Sequence, residues 1–282
     1  MNDPQGYVLG QSARAARRLE IQDAHFAEVS ELLLDDLALR PSERVVELGC
    51  GAGSFSRRVL RRLGAGGVLV GVDCTQGLLT QAAAALADSR SRGDFGSLGA
   101  RFVPVLADVA QPGSWLDGAD VLVARTMLHH VPMAEFLLGR LRAALKPGTR
   151  VGLIEPDFRT PLGRIAYLEA AGRTELEPLR VWAVAINQLY LANRISPDIG
   201  ATMAQTLQLA GYRDVRAAWS ECPTSAHAIE NMLMFYDEVR ERLETLGILS
   251  AAEIDRQQQL LRALAPTLLP AVWGSYRVVC EV

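Results

Sequence analysis

The chain has 282 residues, 49% of them hydrophobic, and a formal net charge of -3 at pH 7. That length and apolar content predict one large α/β domain with a full core, and the weakly acidic balance argues against a general nucleic-acid-binding surface. The first ten residues are polar and no run of 18 apolar residues occurs, so neither a secretion leader nor a membrane span is expected. Four cysteines, Cys50, Cys74, Cys222 and Cys280, lack zinc-type or redox-type spacing, which predicts reduced thiols in a cytoplasmic protein.

Residues 1–40 read as a helical cap, with Arg14, Arg17 and Arg18 in a first helical segment. A second helix is predicted over 22–39, where Phe26, Val29, Leu33 and Leu37 recur at helical spacing and Pro41 follows. An apolar run over 44–48 then meets Gly49, Gly51 and Gly53, and a helical pattern starts at Ser54. This is a buried strand turning sharply into a helix, whose free N–H groups point into the loop. The glycine spacing is G-x-G-x-G; a dinucleotide fingerprint would need its third glycine where Ser54 stands. Glu47 lies two positions before the first glycine.

A second strand over 68–72 ends in Asp73, a carboxylate at a strand tip facing the same crevice. Because a carboxylate only accepts hydrogen bonds, Asp73 suits the two hydroxyls of a ribose. A helix over 76–87, a glycine- and serine-rich loop over 89–99 and a strand over 101–106 lead to Asp108 and Val109. The fourth strand, 120–124, is continuously apolar, as a central strand should be, and the loop 125–132 carries Arg125, His129 and His130. A helix over 133–145 and a fifth strand over 150–154 follow, with Glu155, Asp157 and Phe158 leaving its tip. Residues 159–196 break the alternation with a helical stretch containing Trp182 and Asn187. A helix over 197–210, a strand over 212–219, a long helical excursion over 222–270 and a strand over 274–282 complete the chain.

The stretch V-V-E-L-G-C-G-A-G (residues 45–53) resembles motif I of the class I S-adenosylmethionine-dependent methyltransferases. Asp73 resembles motif II, Asp108 the adenine-binding acidic residue, and 125–132 motif IV. The pattern Tyr7, Leu9, Gly10, Arg18, Leu19, Gln22 is similar to the leader of many small-molecule members. The resemblance implies an α/β fold: a doubly wound, seven-stranded mixed sheet, Rossmann-like, with an antiparallel last strand, a helical N-terminal cap and helical lid inserts. It divides the chain into a cap (1–40), a cofactor-binding core (41–158), a lid insert (159–196) and a core completion (197–282) interrupted by a helical insert at about 221–270. The cofactor implied is S-adenosyl-L-methionine, with contacts expected from Tyr7, Gln22, Glu47, Gly49, Cys50, Gly51, Asp73, Cys74, Asp108, Val109 and Arg125.

A sulfonium methyl is already electrophilic, so the protein must orient a nucleophile and remove its proton. Histidine suits that task near neutral pH, which makes His129 or His130 the expected base, with Glu155 and Asp157 as runners-up. Glu155, Asp157, Phe158, Trp182 and Asn187 are the expected acceptor-binding residues. No metal is expected: neighbouring histidines on a loop diverge, and no metal-type spacing supports them. The Asn/Asp-Pro-Pro-Tyr/Phe signature of amino-methylating nucleic-acid enzymes is missing from the motif IV region. The expected partner is therefore a small-molecule acceptor of secondary-metabolite type, with no nucleic acid and no membrane; a homodimer is compatible with the pattern. Methyl transfer to a hydroxyl oxygen is the leading expectation. Transfer to carbon or nitrogen, or use of the same scaffold for a cyclisation, rearrangement or decarboxylation, stays open.

Overall fold

The computed structural model describes residues 13–95, 99–265, 269 and 271–282, the side chains of 13–16 excepted. Tyr7 and the start of the leader pattern lie outside the described residues.

Seven strands form one sheet: β1 (Arg44–Leu48), β2 (Val68–Asp73), β3 (Arg101–Leu106), β4 (Val121–Arg125), β5 (Arg150–Pro156), β6 (Arg213–Cys222) and β7 (Trp273–Glu281). Their spatial order is β3-β2-β1-β4-β5-β7-β6, and β7 runs antiparallel to both of its neighbours. The expected mixed sheet is therefore the observed one. Strand order reverses at β1, which pairs with β2 on one side and β4 on the other. The carboxyl ends of these strands open onto one crevice, the general ligand position in such sheets.

The central strands are apolar on both faces because both are covered. Val45, Leu69, Val121 and Ile154 pack with α2 (Ala27–Leu37) and α3 (Ser54–Arg62) on one face. Val46, Val70, Leu122 and Leu153 pack with α5 (Ala134–Ala144) and α8 (Ile199–Leu209) on the other. The remaining sheet helix is α4 (Gln76–Ser91), which continues into the stretch expected to be loop. Near its end the Ser91 hydroxyl donates to the Asp88 carbonyl.

Two boundaries differ from expectation in ways that shape the site. The single helix expected over 22–39 is divided into α1 (Ala13–His25) and α2 by Phe26, whose ψ of 14° departs from helix while its hydrogen bonds continue. The second helix ends at Ala38 in the left-handed region, before Pro41. Strand β5 runs two residues beyond the expected end, because β7 pairs with it as far as Pro156 and Ser275. Glu155 is thus a strand residue with a defined facing, not the start of a loop.

The inserts are α6 (Thr160–Ala170) and α7 (Glu177–Ala192), then α9 (Ala226–Thr245) and α10 (Ala251–Ala263). Ser225 and Ser250 cap the last two, each accepting an N–H from three residues on. Helix α9 packs along α1, and α10 lies against α9 and α7. The N-terminal helix and both inserts therefore join in one helical layer. The sequence left residues 221–270 as either a pocket wall or an oligomer surface; α9 packs inward and supplies a wall. Among the described residues, no helix is long and apolar enough to cross a membrane.

Candidate active site

The glycine loop after β1 is shaped by its surroundings. Gly49 and Gly51 have φ of 64° and 52°, and a Cβ on Gly49 would stand 2.5 Å from Met127 Cγ. Backbone therefore meets the motif IV loop directly, which no other residue type permits. The loop is pinned to the next strand tip by Asp73: its Oδ2 accepts the Gly51 N–H at 2.9 Å and its Oδ1 accepts the Thr75 N–H at 2.9 Å.

These residues border a cavity of about 1430 Å³, counting space open to solvent at its mouth. Of the expected cofactor residues, Gln22, Glu47, Gly49, Cys50, Gly51, Asp73, Cys74, Asp108, Val109 and Arg125 all line it. Its charges favour a cation over a phosphate. Asp73 and Asp108 contribute carboxylates and Glu47 a third acidic group, and each of its arginines faces a carboxylate partner, Glu238 for Arg18 and Asp23 for Arg125. Arg125 bonds Asp23 at 2.6 Å and Ser30 Oγ at 3.0 Å, with Phe55 under its guanidinium, so it ties β4 to α1. Burial pushes the Cys50 thiol well above its ordinary range, with Glu47 and Asp73 adding to the shift, so it is an un-ionised wall group.

Glu47 is buried, and desolvation raises its carboxyl to about 8 despite the Ser56 hydroxyl at 2.6 Å and the charge of Arg125. An unfolded glutamate loses its proton near pH 4.5, so the folded chain holds a proton there that the unfolded chain has released. Stability contributed by this site therefore falls as pH rises from about 4.5 through about 8. A cation in the cavity favours the ionised form and weakens the trend.

A second cavity of about 680 Å³ adjoins the first, and Arg18 and Gln22 line both. Its walls come from α1, the tip of β5, α7, α9 and the start of β7. They are strongly aromatic: Trp182 meets Trp273 at 5.0 Å and Phe235 at 5.4 Å between ring centroids, and Phe158 meets Tyr190 at 5.5 Å. The two histidines separate here. His129 lines the aromatic cavity and His130 the cofactor-side cavity, with ring centroids 4.0 Å apart.

The acceptor-binding expectations divide. Phe158, Trp182 and Asp157 line the aromatic cavity, whereas Glu155 and Asn187 do not. Glu155 is fully buried and accepts N–H groups from Met127 at 2.8 Å and Leu128 at 2.6 Å, while its Oε2 lies 2.6 Å from His129 Nδ1. It braces the motif IV loop and orients His129. The Asn187 amide donates to the carbonyls of Phe158 and Ala183, both at 2.7 Å, and holds α7 to the β5 exit. The Asp157 carboxylate accepts the N–H groups of Arg159 and Thr160 and the Thr160 hydroxyl, so the start of α6 occupies it. Burial pushes the His130 ring well below its ordinary value, helped by the charges of His129 and Arg18, so it is neutral at pH 7.

Sequence reasoning did not single out Arg18, Asn231 or Trp273. Arg18 lay within the quoted leader pattern, but its partner Glu238 is 220 residues away. Asn231 sits on the long excursion, whose helical spacing carried no chemical signal.

Residues 46–151 match the family model of a methyltransferase domain. The chain is 29% identical over 220 residues to a nocamycin O-methyltransferase of Saccharothrix syringae, covering 74% of this chain and 72% of that one. It is 31% identical over 148 residues to a trans-aconitate 2-methyltransferase of Variovorax paradoxus, covering 52% of each, and so spans about half of that relative. A mycolic acid cyclopropane synthase solved with SAH bound shares the fold, with a TM-score of 0.57 at 15% identity over 99% of this chain and 91% of that one. The glycine loop, the strand-tip carboxylates, the sheet order and these matches agree: residues 46–151 form a methyltransferase domain, and the chain is similar to S-adenosylmethionine-dependent methyltransferases.

Proposed function

We propose that the chain methylates an oxygen of a small, partly apolar acceptor held in the aromatic cavity, with His129 as the base. The observation that carries this reading is the His129–Glu155 pair at 2.6 Å on the wall of that cavity. The similarity to an O-methyltransferase over 74% of the chain supports oxygen as the acceptor atom.

S-adenosylmethionine supplies an electrophilic methyl on a positively charged sulfur. The residues around the larger cavity fit it: three acidic side chains, a glycine cradle, and two arginines whose charges are each faced by a carboxylate. Asp73 would hold the ribose diol, and Asp108 with the Val109 backbone the adenine. Glu155, held by the loop N–H groups, takes Nδ1 of His129 and leaves Nε2 as the proton acceptor. The acceptor hydroxyl gives its proton to that nitrogen. His130 stays neutral on the cofactor side, where a second positive charge would oppose the sulfonium.

Incubation with S-adenosylmethionine and a panel of phenols, enols and carboxylic acids tests the reading. Equal amounts of S-adenosylhomocysteine and an O-methyl product are expected. Products methylated only at carbon or nitrogen, or turnover without S-adenosylhomocysteine, would overturn it.

The ionisation of Glu47 adds a thermodynamic signature. Binding of S-adenosylmethionine at pH 7 should release a proton, seen as a buffer-dependent calorimetric enthalpy. Glu47→Gln should remove that dependence. An enthalpy independent of buffer in the wild type would show that Glu47 keeps its proton when the cofactor binds.

A further inference from the structure

We propose that the aromatic cavity selects an acceptor that bears, beside the hydroxyl to be methylated, an oxyanion such as a carboxylate or an ionised enol, and that Arg18 reads that charge. This rests on the reading that the aromatic cavity holds the acceptor, and it goes further by naming the chemistry of the group recognised.

Several polar atoms are left over inside the cavity wall. Arg18 is 3% exposed, and its Nε meets both carboxylate oxygens of Glu238, at 3.1 and 3.0 Å. Its Nη2 is buried and has no hydrogen-bond partner. Trp182 Nε1 and Trp273 Nε1 are in the same condition, and both residues line the same cavity. Leaving a buried donor without a partner is costly, so three around one cavity are unusual unless a ligand completes them. All three donate only. A single neutral carbonyl oxygen offers two lone pairs, whereas a carboxylate or a dicarbonyl enolate offers about four. The donor count therefore fits an oxyanion with a second oxygen.

The position of Arg18 adds a second reason. It lines both cavities, so an oxygen on its guanidinium stands where acceptor and cofactor spaces meet. Among the other ionisable residues on this wall, His25 does not provide a competing cation. Burial lowers His25 to about 4, with His227 adding to the shift, so it is neutral at pH 7. The Asp157 carboxylate is engaged by the start of α6. Asn231 Oδ1 and His25 Nδ1 also lack partners on this wall, and they can serve a hydroxyl on the same acceptor.

The test uses 2-naphthoate, the enolate of 1,3-indandione and neutral 2-naphthamide as probes. Binding to the full chain, with S-adenosylhomocysteine present, is followed by tryptophan quenching, since Trp182 and Trp273 line the cavity. At least one anion should bind about tenfold more tightly than the amide, as expected for one charge-assisted hydrogen bond. Whichever anion leads identifies the oxyanion class. Glu238→Gln should widen the ratio, because it leaves the guanidinium charge uncompensated; a merely structural pair would not do so. Arg18→Gln combined with Glu238→Gln removes both charges and should bring the ratio to about one. Trp273→Phe keeps an aromatic side chain but removes the indole N–H, and should weaken all three probes, with Trp182 left as the reporter. Equal binding of anions and amide, or no binding of either anion at millimolar concentration, would overturn the proposal. Cofactor binding and turnover are read separately, so failure of methyl transfer with the anion preference intact falls on the functional reading alone.

Discussion

Asp73→Ala lowers the affinity for S-adenosylmethionine by roughly 10²- to 10³-fold, the loss expected when two hydrogen bonds to a charged acceptor are removed. Each oxygen of this buried carboxylate already accepts one backbone N–H, from Gly51 or from Thr75. A carboxylate has about four acceptor positions, so one on each oxygen remains for a ribose hydroxyl. Alanine deletes both sets. Losing the bonds to Gly51 and Thr75 also slackens the glycine loop, at a cost of about 1–3 kcal/mol in the apo chain. Burial raises the Asp73 carboxyl, opposed by the Gly51 and Thr75 N–H groups, so affinity should also weaken on acidification as the carboxylate is neutralised. Calorimetric titration of the variant, with a melting curve to confirm folding, gives the answer. Wild-type affinity in a folded Asp73→Ala chain would remove Asp73 from the cofactor site.

Glu155→Gln is expected to reduce kcat by roughly 10²- to 10⁴-fold, the span associated with a general base, while cofactor affinity stays near wild type. Glu155 touches no cavity; it acts through His129 and the loop N–H groups of Met127 and Leu128. Glutamine keeps the shape but turns an NH₂ toward donors, and it no longer offsets the charge of a protonated His129 ring. His129→Gln should lose comparable activity, and the double variant should lose little more, because the two residues act as a unit. Additive losses would separate them.

Much of this was legible before any coordinates. Gly49, Gly51, Asp73 and Asp108 were readable because each sits a short, fixed distance along the chain from a strand tip. The seven-stranded mixed sheet with its antiparallel last strand followed from the resemblance, whereas the strand order came only with the structure. Glu155 and Asn187 were misplaced as acceptor contacts. Glu155 was read as leaving the strand, and only the pairing of β5 with β7 through Pro156 and Ser275 turns its side chain inward under the loop. Asn187 had helical spacing and polarity, which do not say whether an amide faces a cavity or a carbonyl. The long excursion before β7 was seen as helical, but its packing along α1 has no local sequence signal.

By itself, then, the amino-acid sequence determined the local elements of the proposed cofactor half: the glycine cradle and the strand-tip carboxylates. Covalent spacing decides those positions, since a turn and the strand it leaves are neighbours in the chain. The acceptor half was decided only by tertiary structure. Arg18 meets Glu238 across 220 residues, His129 meets Glu155 from an adjacent strand, and the aromatic wall is assembled from α7, α9 and β7. Which polar atoms end up paired, and which are left facing a cavity, depends on contacts between distant elements.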